Sequence, residues 1–120
     1  MIKSLLLVSA GGALGSAARY LLSVVLSHFA ICGELAIFLV NVIGSFLIGL
    51  LIPLLSNSGY LFAVVGFCGG FTTFSTFSLQ AFNLFQAGEK IPAVIYMIAS
   101  VVLSLLAVLL GVYVAGKFIK

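Results

Sequence analysis

Charged side chains are scarce in this sequence: 6% of its 120 residues carry one, five basic residues set against Glu34 and Glu89. A soluble domain charges about a quarter of its residues to keep a hydrated surface, and this chain has no means of building one. Both carboxylates fall in segments read as loops, so the chain lacks the paired acids of a hydrolase and the carboxylate at membrane depth that proton exchange requires. His28 is the single histidine, lies in a loop, and is read as an interfacial polar residue. With no nucleophile-base arrangement either, the chain is not read as an enzyme. Cys32 and Cys68 offer neither a disulfide framework nor a metal-ligand spacing, and are treated as small hydrophobes. The basic residues sit mostly near segment ends rather than in a cluster, which argues against a nucleic-acid partner.

What the chain has instead is hydrocarbon, with 64% of its residues hydrophobic. Four apolar segments, residues 5–26, 35–55, 60–86 and 91–115, are separated by "HFAICGE", "SNSG" and "QAGEKIP". Each suffices to cross a hydrocarbon core of about 30 Å at about 1.5 Å rise per residue. The expectation is an all-α, multi-pass integral membrane protein, one transmembrane domain over residues 1–120. Pro92 suits the first turn of the last helix, and Pro53 suits termination of the second or a kink in it. The first segment is read as a span rather than a cleaved signal, because it is long, contains Arg19 and has no clear small-residue cleavage site.

The third segment is interrupted near its centre by "GGFTTFSTFS", residues 69–78. Backbone amides cannot stay unsatisfied in lipid, so a glycine pair followed by hydroxyls at this depth implies either a helix break facing a wet or protein-lined interior, or an unbroken helix whose hydroxyls bond back one turn. The surroundings favour the break. Phe74 and Phe77 are three apart and expected on one helical face, as are Thr73 and Thr76. Asn41 lies mid-way along the second segment, and Tyr96, Ser100 and Ser104 recur at intervals of four along the last. Taken singly these residues can serve as interhelical hydrogen bonds; as a set they offer a common polar interior to a small species carried without full charge neutralisation. Arg19, late in the first segment, snorkels to the interface or places a positive charge in a vestibule, roles that are compatible. Small residues at Gly11 and Gly15, Gly12 and Ser16, Ser45 and Gly49, and Gly66 and Gly70 are spaced for close helix contacts.

With the arginine of the first span, "VNVIGSFLIG" in the second, "GFCGGFTTFSTFS" in the third and Tyr96, Ser100 and Ser104 in the fourth, the chain resembles the Fluc (CrcB-type) family of fluoride channels over nearly its whole length. The resemblance implies an antiparallel, dual-topology dimer in the cell membrane, a prokaryotic inner membrane, with the third helix broken at its centre and two fluoride pores along the subunit interface. It implies that Phe74 and Phe77 are the paired rings of a "Phe box", with Asn41 and Thr76 among the polar groups beside them. Tyr96, Ser100 and Ser104 then match a polar track and Arg19 a vestibule arginine. A structural sodium ion at the dimer centre would be held by the backbone carbonyls of Gly69 and Thr72. The position of Gln80 is often glutamate in that family; here an amide, still able to donate a hydrogen bond, stands in place of a carboxylate at the pore mouth.

The physical chemistry is compatible with these implied roles. Aromatic ring edges are electropositive and can replace part of a small anion's water shell, while several weak sites permit both entry and exit. With both termini on one side, Lys3, Lys117 and Lys120 oppose only Lys90, a bias toward cytoplasmic termini. That bias raises the alternative of one subunit in a heterodimer of oppositely oriented chains; the homodimer is preferred because this chain retains every pore motif. A proton-coupled exporter resembling the small multidrug-resistance transporters lacks its membrane carboxylate here, and a non-transporting assembly subunit leaves the Phe, Thr and Ser pattern without a task.

Overall fold

The computed structural model describes residues 1–119 and forms four helical segments long and apolar enough to cross a membrane. They are α1 (Ile2–Ser27), α2 (Glu34–Leu51), a composite third segment (Asn57–Gln86) and α6 (Lys90–Gly116). The third begins with one α-turn, α3 (Asn57–Gly59), continues as a π-helical stretch (Tyr60–Cys68) and returns to α-geometry in α4 (Gly69–Phe71). After an interruption it resumes as α5 (Phe74–Gln86).

Element ends follow local chemistry. The second helix stops at Leu51, short of residue 55, and Pro53 lies in the turn beyond it. Proline has no N–H to continue the ladder, so of the two roles expected for it, it takes termination rather than a kink. α5 closes in a Schellman arrangement: Gly88 adopts φ +82°, its N–H donates to Phe85 O at 3.1 Å, and Glu89 N–H donates to Leu84 O at 2.9 Å. α1 ends the same way, with Ile31 N–H on Leu26 O at 2.9 Å, but the left-handed position is held by Ala30 at φ +61°.

The helices associate mainly as two pairs, α1 with the first half of the third segment and α2 with α6. Backbones approach closely where glycines face each other. A Cβ on Gly70 would lie 2.5 Å from Gly12 O, and one on Gly66 would lie 2.8 Å from Val8 O. Gly11 and Gly15 press on the backbone of Phe62 and Phe67, while Gly49 and Gly111 allow α2 and α6 the same approach. Glycine therefore supplies proximity here, as the small-residue spacing predicts, with Gly111 an addition that the spacing rule missed.

The break changes the third segment's neighbours. Its first half packs on α1, whereas α5 packs on α6 and α2. Four crossings place the two ends of the described chain on one side. Lys3 and Lys117 are there, and Glu34, Glu89 and Lys90 are at the opposite end, with Glu34 opening α2 and Glu89 immediately before α6. Each acid thus lies at a helix N-terminus, where the partial positive charge of the macrodipole favours it.

A polar groove at the helix break

The chain leaves the helix at Thr72 (φ −82°, ψ 160°) and Thr73 (φ −147°, ψ 113°). Gly69 and Gly70, the glycine pair expected to make the break, are themselves helical, and the interruption falls two residues later. What holds it there is side-chain hydrogen bonding. Thr73 N–H donates to Asn41 Oδ1 at 2.8 Å, and Asn41 Nδ2 donates to Thr73 O at 3.1 Å. Thr73 also caps α5, its Oγ1 accepting the Thr76 N–H at 3.2 Å. The expectation that Thr73 and Thr76 share a helical face is corrected accordingly: Thr73 is extended and precedes the helix, while Thr76 lies in its first turn.

In a continuous helix the Thr73 and Thr76 N–H groups would bond the carbonyls four residues back, those of Gly69 and Thr72. Both donors are committed elsewhere. Neighbouring carbonyls are engaged by side chains: Thr72 Oγ1 donates back to Cys68 O at 3.0 Å, and Arg19 Nε donates to Gly70 O at 3.3 Å. Arg19 thus points at the break from the half-buried face of α1. Among the described residues no group of three or more His, Cys, Asp or Glu side chains could hold a metal; the donors present at the break are neutral oxygens, backbone carbonyls among them, a class suited to hard cations.

A groove of about 520 Å³ opens beside the break, lined by Asn41 and Ser45 of α2, Gly69, Thr72, Thr73, Phe74 and Phe77 of the third segment, and Ser100 and Ser104 of α6. Most of the remaining wall is apolar, including Ile48, Val64 and Val101, with Tyr60 and Cys68 also lining it. Phe74 and Phe77 lie with ring centroids 5.6 Å apart at 46°, and Phe77 meets Tyr96 at 5.1 Å and 51°. Such tilted pairs present edges as well as faces. Phe77 is 9% exposed and Phe74 76% exposed, so the second ring projects from the single chain.

Of the residues singled out from sequence, Asn41, Phe74, Phe77, Ser100, Ser104, Gly69 and Thr72 converge on this groove. Tyr96 joins through Phe77, and its hydroxyl donates to Gln80 Oε1 at 2.6 Å, which ties α6 to α5. Thr76 connects through Thr73, whose Oγ1 donates to Thr76 Oγ1 at 3.1 Å. Ser100 Oγ is buried without a hydrogen-bond partner. Ser45, which the small-residue spacing assigns only to packing, also lines the groove, since its position four residues after Asn41 puts it on the same helix face.

Residues 6–112 match the family described as CrcB-like protein, Camphor Resistance (CrcB). Three relatives, each named "Fluoride-specific ion channel FluC", illustrate the similarity. The protein from Azobacteroides pseudotrichonymphae is 40% identical, with 98% of this chain and 99% of the relative aligned. That from Nitrobacter winogradskyi is 46% identical over 92% and 93% of the two chains, and that from Prosthecochloris aestuarii 42% identical over 93% and 92%. With the match covering nearly every element that builds the groove, the chain belongs to the CrcB family.

Proposed function

We propose that the chain is a fluoride-selective channel that lets fluoride leave the cytoplasm passively, as the names of its relatives suggest. The observation that carries this reading is the run of tilted rings, Phe74, Phe77 and Tyr96, beside the hydroxyl and amide groups of one groove. Fluoride is small, hard and strongly hydrated. Ring edges and neutral donors replace its water in many weak steps, whereas a fixed cation in the path would hold it. Arg19 is bonded to a carbonyl at the break, so its charge acts as a field on the pathway rather than as a ligand within it.

The working unit is an antiparallel dual-topology homodimer in a prokaryotic inner membrane, with two pores along the subunit interface. The projecting Phe74 ring supports this, since an aromatic side chain at a groove mouth gains from being covered by a second subunit. The carbonyls of Gly69 and Thr72, deprived of their helical donors, suit a structural sodium ion at the dimer centre. Sodium bound there would add a fixed positive field. A second reading, one subunit of a heterodimer, is favoured by the basic bias of the side carrying Lys3 and Lys117, now that Arg19 is accounted for inside the bundle.

Expression in a fluoride-hypersensitive bacterium tests the assignment. The wild-type chain is expected to restore growth in fluoride, and Phe74→Ile or Phe77→Ile to abolish the rescue at equal membrane abundance with the dimer intact. Full rescue by both variants would remove the rings from the pathway.

A further inference from the structure

We propose that Asn41 is a positioning residue that sets the helix break and keeps the Gly69 carbonyl available, in addition to any contact it makes with the transported ion. The inference rests on the channel reading above and assigns a task within it. Asn41 meets the backbone of Thr73 at two points, accepting the N–H at 2.8 Å and donating to the carbonyl at 3.1 Å across 32 residues of sequence. This reciprocal pairing fixes the amide's orientation, because only Oδ1 can accept and only Nδ2 can donate. It also reproduces what a neighbouring strand would offer an extended residue, which is how Thr73 holds φ −147° inside a helical bundle.

Three consequences follow from that one contact. The Thr73 N–H is withdrawn from Gly69 O, its partner in a continuous helix. Thr73 is turned so that Oγ1 caps the Thr76 N–H, which starts α5 at Phe74 and fixes where the rings of Phe74 and Phe77 lie. One proton of the Asn41 amide remains uncommitted on a side chain that lines the groove. Remove the amide, and Thr73 N–H is left without a partner at membrane depth. The freed N–H is then open to exchange and turns only intermittently to Gly69 O, its partner in a continuous helix, where it competes with a cation for that carbonyl. Asn41 thereby couples the anion groove to the carbonyls proposed for sodium.

The chain contains three threonines, Thr72, Thr73 and Thr76, so 15N-threonine labelling of the full-length protein gives three amide signals, all from the break. The experiment compares wild type, Asn41→Ala and Asn41→Asp by amide exchange, and by thermal stability in detergent titrated with sodium against N-methylglucamine. In Asn41→Ala, Thr73 protection is expected to fall at least tenfold with Thr76 little changed, and the sodium concentration for half-maximal stabilisation to rise at least tenfold. Asn41→Asp keeps the acceptor and should retain Thr73 protection. The proposal is overturned if Asn41→Ala keeps Thr73 protection or the wild-type sodium midpoint, or if all three amides loosen together. It is overturned equally if Asn41→Asp, the variant to rely on should Asn41→Ala fail to fold, loses Thr73 protection. Absence of fluoride flux in the wild type would sink the channel reading while leaving these amide signals as they are, so the two failures are distinguishable.

Discussion

Ser100 carries a hydroxyl that is buried in the single chain and has no hydrogen-bond partner, 6% exposed on the face of α6 that lines the groove. A buried polar group left unpaired costs roughly 1–3 kcal/mol. A hydroxyl retained for packing would have found a carbonyl, as Ser78 finds Phe74 O at 2.9 Å and Thr72 finds Cys68 O. Ser100→Ala is therefore expected to leave thermal stability unchanged or raise it by about 1 kcal/mol, while fluoride flux in reconstituted vesicles falls tenfold or more. Loss of stability with undiminished flux would make Ser100 a structural residue. At this scale the convergence of these side chains on one groove was largely legible in the sequence: hydroxyls at intervals of four, two phenylalanines three apart and one amide mid-span are visible as periodicity. Their division of labour was not. The Asn41 side-chain amide holds the backbone N–H and carbonyl of Thr73, and a pattern of side chains carries no information on which N–H is diverted.

Among the elements, the third segment shows where periodicity and structure part. Its interruption was predictable because hydroxyls and glycines crowd the centre of an apolar run, yet the glycines do not themselves break the helix. Gly70 is a glycine because the adjoining backbone of Gly12 leaves no room for a Cβ, and it stays helical; the interruption begins two residues later at Thr72, and Thr73 caps the helix that follows. Thr73 followed by Thr76 at the start of a helix is itself a readable capping signal. The π-helical stretch Tyr60–Cys68 had no such signal, since one extra residue per turn leaves an all-apolar sequence unchanged in appearance. Ala30 marks a different kind of local conflict. At φ +61° it occupies a conformation that costs an L-residue roughly 1–2 kcal/mol. Ala30→Gly should stabilise the protein by about 1 kcal/mol, after the greater freedom of unfolded glycine is subtracted. Circular dichroism melts in detergent would reveal this as a raised transition, and a lowered one would contradict the Schellman assignment of the α1 terminus.

For the whole molecule, membrane character and the number of spans follow from composition and run length alone, and the structure moves their ends by only a few residues. How the spans pair was not legible. Lipid-facing and helix-facing positions are equally apolar, so the arrangement of α1 with the first half of the third segment and α2 with α6 emerges only where glycines permit contact. Orientation is decided by loop charge. The side with Lys3 and Lys117 is basic and the other holds both acids beside Lys90, a bias small enough for both orientations to insert, so for the dual-topology homodimer proposed above a C-terminal fluorescent and alkaline-phosphatase fusion pair should both report substantial activity. Equal activity of the two reporters would establish dual insertion and the homodimer, whereas an exclusive cytoplasmic signal would require an oppositely oriented partner subunit. The most direct test of the channel assignment is passive efflux from liposomes containing this chain alone, with fluoride and chloride followed in parallel. The account predicts rapid loss of fluoride with chloride retained; vesicles that hold fluoride although the protein is folded, or that release both anions alike, would contradict it.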